Sequence, residues 1–191
     1  MADDSADDHA LMARVAAGDH HAFRLLVERH QNAVVGTTAK MLGNASEAED
    51  IAQQVFLRVW KHARRYKPDA KFTTYLFTIT RNLVFNETRR LGRKREVSAN
   101  ELEDNINFQP EDPPEKQPGE IVLQAELQSA VDQAITSLPE SQRMAVVLRR
   151  YEQVSYEEIA EILGTSVSSV KSLLFRARTT LREALQRYLD A

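Results

Sequence analysis

The stretch Ser155–Arg178, SYEEIAEILGTSVSSVKSLLFRAR, reads as two short helices around a tight turn. Ser155 and Glu158 form a Ser-x-x-Glu capping box, which predicts a defined start for the first helix. Ile159, Ala160, Ile162 and Leu163 lay an apolar stripe along it. Gly164 follows, and glycine takes the left-handed backbone of a helix end without a Cβ clash. Ser166 is placed to cap a second helix whose Val167, Val170, Leu173 and Leu174 point inward. Ala160 is small where the two helices would cross. This is the helix-turn-helix pattern. The second helix leaves Ser168, Ser169, Lys171, Ser172, Arg176 and Arg178 polar, with no carboxylate among them. Such a surface suits phosphates and base edges. A helical hairpin with a basic solvated face is the plainer reading of the same residues.

The whole chain has 191 residues, enough for one large or two small domains. Its 42% apolar content can build a core, and 28% charge with few glycines favours helices in a soluble protein. No apolar run approaches the roughly 18 residues of a membrane span, so no membrane insertion is expected. The acidic start, MADDSADDHA, lacks the order of a signal peptide, and residues 1–18 are expected to form a short disordered tail. There is no cysteine, which excludes disulfides, thiolate metal sites and a cysteine nucleophile. The cytoplasm is the expected compartment.

A net charge of −3 conceals an uneven distribution. Residues 81–95 hold Arg81, Arg89, Arg90, Arg93, Lys94 and Arg95 against Glu87 alone. Residues 101–120 hold seven acids against Lys116. Local basic surface matters more than the average to a polyanionic partner.

Asp19 to Met41 reads as one helix or two, and Leu42-Gly43-Asn44 as a stop and turn. Ser46 to Glu49 then looks like a second capping box, opening SEAEDIAQQVFLRVWKHARRY. Ile51, Ala52, Val55, Val59 and Ala63 share one face of that helix. Phe56, Leu57 and Trp60 make its apolar surface wider than one buried stripe requires. Two readings fit: the aromatics complete the core, or they anchor a partner beside a carboxylate–glutamine edge. Pro68 breaks the helix. The next, FTTYLFTITRNLVFNETRRLGRKR, mixes Phe72, Tyr75, Phe77 and Phe85 with Arg81, Asn82, Asn86, Arg89 and Arg90. Aromatics among cations and amides can stack on unpaired bases while holding phosphates. Core rings beside a solvated basic face are the plainer reading of the same residues.

Four of the six prolines fall within residues 110–118, among acids. Residues 93–120 are therefore expected to be a flexible linker, able to span roughly 90 Å at about 3.3 Å per residue. That exceeds the roughly 70 Å of two DNA turns. A second domain is expected over residues 121–191, with a helix through Leu138, another from Pro139, and then the helix-turn-helix. The last helix shows no clear stop before Tyr188. The expected fold is all-α: two small helical domains joined by a flexible, acidic, proline-rich linker.

Enzymatic signatures are missing: no Walker loop, GxGxxG or HExxH occurs. His20 and His21 are adjacent and would point apart, and His30 and His62 have no visible partners. Neither a metal nor a cofactor is expected. Glu157 and Glu158 read as solvated.

Four segments in order, EAEDIAQQVFLRVW, KFTTYLFTITRN, LPESQRMAVVLRRYEQVSYEEIAEILG and VSSVKSLLFRAR, give the chain a resemblance to the extracytoplasmic-function sigma factors of the sigma-70 family. The resemblance implies a domain over 19–92 that grips core RNA polymerase and opens the −10 element, and one over 121–191 that reads the −35 element. Asp50, Gln53, Gln54, Phe56 and Trp60 fall where the family contacts the polymerase clamp. Lys67 to Phe72, including Lys71, fall at the loop that captures a flipped base. Thr74, Tyr75, Thr78, Arg81, Asn82 and Asn86 fall along the −10 helix, Tyr75 where the group commonly has tryptophan. Ser168, Ser169, Lys171, Ser172, Phe175 and Arg176 fall on the −35 helix. The implied partners are core polymerase, promoter DNA and an anti-sigma factor. A stand-alone helix-turn-helix regulator is the competing reading, and co-elution with core polymerase separates the two.

Overall fold

The computed structural model describes residues 2–99 and 120–189. These form helices joined by short loops, with no strand among them. The first half holds α1 (Ala2–Ala16), α2 (His20–Leu42), α3 (Ala45–His62), a single 3₁₀ turn (Ala63–Arg65) and α4 (Phe72–Ala99). The second holds α5 (Glu120–Ser137), α6 (Glu140–Arg150), α7 (Tyr156–Leu163), α8 (Val167–Ala184) and a last turn, α9 (Gln186–Leu189). The linker expected over 93–120 mostly lies outside the described residues. Its first part, through Ala99, continues α4 as helix instead.

Local chemistry sets the boundaries. Asp19 accepts from the His21 and Ala22 N–H groups and starts α2. Gly43 ends α2 at φ 70°, the left-handed geometry that a Cβ disfavours. The cap of α3 is Asn44, which accepts from Ser46 and Glu47. It replaces the expected Ser46 cap because Asn44 already satisfies the free N–H groups one turn earlier. At α7 the capping box forms in full: Ser155 Oγ accepts from Glu158 N–H at 3.2 Å, and Glu158 Oε2 accepts from Ser155 N–H at 3.1 Å. Gly164 closes the helix at φ 64°, and Ser166 caps α8 by accepting from Ser169 N–H. The last helix does stop, at Leu185, where α9 begins.

The expected tail at 1–18 is folded from α1 onward. Leu11, Met12 and Val15, at i, i+1 and i+4, are buried in the core, so that apolar face offsets the entropy of ordering an acidic segment. Behind it, Ile51, Ala52, Val55, Val59 and Ala63 of the second segment are buried as their spacing requires. In the second half Ile159 and Ile162 of α7 and Val170 of α8 are fully enclosed. Each such side chain contributes about 1.5–3 kcal/mol through burial.

The two halves pack together, α7 along α4 and α6 against α2, and the buried apolar cluster runs through both. Two arginines fasten them reciprocally. Arg81 of α4 donates through Nε to the Ile162 carbonyl, 3.0 Å, at the C-terminus of α7. Arg143 of α6 donates through Nη1 to the Met41 carbonyl, 2.5 Å, at the C-terminus of α2. The last carbonyls of a helix lack internal donors and carry the negative end of its dipole, so a guanidinium satisfies both needs. Lys71 adds an ion pair with Glu158 at 2.9 Å, and Lys40 a longer one with Asp132 at 3.9 Å.

Candidate functional site

Three surfaces carry the residues singled out in the sequence. The first is the outside of α3. Asp50, Gln53 and Gln54 are exposed along one stripe. Phe56 is 7% exposed and belongs to the core. Trp60 is half-buried, its ring 4.6 Å from His20 and 5.1 Å from Phe23. Of the two readings of this face, the core claims Phe56 and most of Trp60. The apolar group left to a partner is Leu57, 64% exposed, one turn on from Gln53 and Gln54. The spacing Asp50, Gln53/Gln54, Leu57 on one helix is the signal that identifies it.

The second surface runs along α4 and splits in two. Lys71, Thr74, Thr78 and Arg81 recur at three- and four-residue steps and share a face. Its two ends are tied to α7 through Glu158 and the Ile162 carbonyl. Phe72 is fully enclosed and Thr74 is 3% exposed, so neither can touch DNA in this arrangement. Tyr75, Ile79 and Asn82 occupy the neighbouring face and, with Arg58, His62 and Arg65, line an open cleft of about 300 Å³. Asn86 continues that face and is exposed, as is Lys67 in the loop before it. Ring, amide and cations around a gap of this size offer a stacking wall, base-edge partners and phosphate ligands together. Arg58, His62 and Arg65 carry no DNA role in the sequence reading. Their i, i+4, i+7 spacing beside an aromatic helix is what points to them.

Behind the cleft sits an aromatic cluster. Tyr66 lies 5.0 Å from Tyr75 and 6.2 Å from Phe72, centroid to centroid. Burial, with the Asp8 charge adding to it, pushes the Tyr66 phenol up to about 12. Its hydroxyl is hydrogen-bonded with His9 Nδ1, 2.8 Å away. Burial also raises the Tyr75 phenol. His30 has a partner after all: its Nε2 lies 2.9 Å from Asp8 of α1.

The third surface is α8. Ser168, Lys171, Ser172 and Arg176 are exposed, Ser169 is half-buried, and Phe175 is 72% exposed. Ser168, Ser169, Ser172 and Arg176 border a shallow cavity of about 380 Å³ with Ser141 and Thr165. Hydroxyls and a guanidinium can reach phosphates and base edges there, and Phe175 offers an apolar contact for a thymine methyl.

Titration bears on the packing of the halves. Burial raises the carboxyl of Glu152, against the pull of the Thr37 hydroxyl and Lys40 from the opposite half. Burial also raises Glu140, opposed by Thr88 and Arg89 of α4. For Glu158 burial pushes upward too, but the Lys71 and Ser155 hydrogen bonds outweigh it and leave the group below its usual value. Ionised Glu140 and Glu152 thus cost the folded chain stability, and that cost disappears as pH falls through their raised values, while the Glu158 contribution is lost only lower, through its depressed value.

Among the described residues no helix is long and apolar enough to cross a membrane, and no three metal-ligating side chains cluster. Residues 26–94 match the family model described as Sigma-70 region 2, and residues 128–181 match Sigma-70, region 4. The chain is 34% identical over 181 residues to the RNA polymerase sigma-H factor of Pseudomonas aeruginosa, covering 94% of each. It is 33% identical over 181 residues to the ECF RNA polymerase sigma-E factor of Escherichia coli, again covering 94% of each. Among solved structures it is similar to CnrH in complex with the cytosolic domain of CnrY, with a TM-score of 0.71 and 25% identity over 95% of this chain and 98% of that one. The sigma factor RpoE of Bartonella quintana, in complex with the anti-sigma factor NepR, shares the fold, with a TM-score of 0.67 and 23% identity over 86% of this chain and 96% of that one. The chain belongs to the extracytoplasmic-function group of the sigma-70 family, RNA polymerase sigma factors that act in promoter recognition and transcription initiation.

Proposed function

We propose that the three surfaces divide the work of a promoter reader. The outside of α3, centred on Leu57 with Asp50, Gln53 and Gln54, docks on core RNA polymerase. The cleft between α3 and α4 takes an unstacked −10 base, with Tyr75 as the stacking wall and Asn82, Asn86 and the surrounding cations as its polar partners. The exposed face of α8 enters the −35 major groove. The chain works in the cytoplasm without catalysing a reaction of its own, and an anti-sigma factor is the expected inhibitor. The segregation of one apolar, one aromatic–basic and one hydroxyl–basic surface on separate helices supports this reading most.

The mechanism is a shift between binding equilibria. Duplex DNA hides its bases in the stack, and flipping one out costs a few kcal/mol. Stacking on an aromatic ring returns about 1–3 kcal/mol per base, and phosphate contacts add to it. Strand separation therefore follows from the cleft accepting only unpaired bases.

Size decides the next step. A compact body of about 170 residues, the size of the described part, has a radius of gyration of about 15 Å, hence a diameter of roughly 40 Å. Two DNA turns measure roughly 70 Å. One closed molecule cannot meet both elements, so α7 must leave α4. The chain between Ala99 and Glu120 can reach roughly 70 Å when extended, less than the roughly 90 Å read from sequence but sufficient. Opening also frees Lys71 and Arg81 for phosphates. Few base contacts come from one short helix, so polymerase must hold both halves in register.

Arg176→Ala should weaken −35 recognition by about 1–3 kcal/mol, the worth of a good base-edge pair. Holoenzyme transcription from a cognate promoter would fall at least severalfold, while core binding stays unchanged. Full transcription would remove Arg176 from the interface.

A further inference from the structure

The first turns of α1 hold a polar arrangement that core packing alone does not require. Asp8 lies on the same helical face as Met12 and Val15, and is 2% exposed. A carboxylate there is costly unless it is satisfied. It receives Arg29 Nη1 at 2.6 Å and faces His30 Nε2 at 2.9 Å. The His30 ring in turn packs 5.2 Å from Phe72, and Phe72 lies 6.3 Å from Tyr75. One residue further on, His9 stacks on Tyr66 at 5.9 Å and shares a hydrogen bond with its hydroxyl. Tyr66 also packs against Tyr75, at 5.0 Å, and meets Phe72 edge-on at 6.2 Å. Two routes that touch each other thus run from α1 to one ring, and that ring lines the cleft between α3 and α4.

We propose that α1 is a working part of the −10 reader: His9, acting through Tyr66, and Asp8, acting through His30 and Phe72, position the Tyr75 wall on which an unstacked base rests. Both are positioning residues and neither touches DNA. A tyrosine ring supported on one side only can rock about its side-chain bonds, and each rocked rotamer narrows or empties the cleft. Holding it before the base arrives removes that loss from the binding step. The proposal rests on the −10 reading of the cleft given above.

The test uses the full chain in holoenzyme. The probe is a single-stranded oligonucleotide carrying the −10 sequence of a promoter that the wild-type holoenzyme transcribes, with 2-aminopurine replacing one base at a time. His9→Ala and Tyr66→Phe should each weaken probe binding roughly three- to tenfold, the scale of one hydrogen bond. Because they break the same link, the double variant should be no weaker than either single one. His9→Asn, whose amide keeps a hydrogen-bonding group near the Nδ1 position, should recover most of the loss. The quenching of 2-aminopurine should fall in step with affinity, while core affinity and binding to a −35 duplex stay at wild-type values. Unchanged probe affinity in His9→Ala and Tyr66→Phe, with a clear loss in Asn82→Ala, would overturn the role of α1 and leave the cleft intact. No loss in Asn82→Ala or Tyr75→Ala either would overturn the cleft, and the proposal with it. A loss in His9→Ala shared equally by core binding, with no recovery in His9→Asn, would show general loosening and would also overturn it.

Discussion

Leu57→Glu should lower the affinity of the chain for core RNA polymerase by about 30-fold or more. Leu57 is 64% exposed on α3, one turn on from Gln53 and Gln54 and two from Asp50. A large aliphatic side chain left in water gains by being covered, and the centre of an interface is where one residue carries about 2 kcal/mol. That amount is about 30-fold in a dissociation constant. A charge at the same place adds the cost of burying an unpaired carboxylate. Because Leu57 supports nothing inside the domain, the variant should unfold at the wild-type temperature. Trp60→Ala would be a poorer test, since it removes the ring packed against His20 and Phe23. Competition against unlabelled wild-type chain for core polymerase measures the effect, and equal affinity would take α3 out of the polymerase interface.

Tethering the halves in their closed packing should abolish promoter opening. The chain has no native cysteine, so Lys40→Cys and Asp132→Cys would give a unique pair. Their native side chains meet at 3.9 Å across the two halves, outside the three reading surfaces. A short, chemically cleavable thiol cross-linker would hold α2 to α5. Open complexes, scored by permanganate reactivity of melted thymines, should fall to background and return when the linker is cleaved. A body roughly 40 Å across cannot cover a roughly 70 Å separation. Lys71 and Arg81 also stay committed to Glu158 and the Ile162 carbonyl. The polar ties are individually modest, with Lys71 60% exposed in its ion pair, and exposed ion pairs are worth about 0–1 kcal/mol. Polymerase can therefore outcompete them. Normal opening by the cross-linked protein would show that separation of the halves is unnecessary.

Much of this was legible in the residues because short-range rules decided it. Ser155, Glu158, Gly164 and Ser166 fix the helix-turn-helix through capping and backbone geometry that no distant contact overrides. The buried stripe of α3 followed from period alone. The misses share a physical cause, since each depends on what lies across a tertiary contact. The acidic start reads as solvated until Leu11, Met12 and Val15 find the core and Asp8 finds Arg29 and His30. Phe56 and Leu57 are adjacent apolar residues on a wide face, and only packing shows that the first turns in and the second out. Glu158 reads as a capping-box acid on a solvated face, yet it also reaches Lys71 of the other half. The cleft residues Arg58, His62 and Arg65 lie on a different segment from Tyr75, and their meeting is a property of the α3–α4 pair.

In the proposed mechanism the two halves lie folded on each other in the free chain, and polymerase with promoter draws them apart. Spin labels at Gln31→Cys and Glu183→Cys, read by pulsed electron resonance, measure that separation directly. One short, narrow distance is expected in the free chain, moving out by several tens of ångströms in a promoter-bound holoenzyme. The same short distance persisting in a transcription-competent complex would contradict the account.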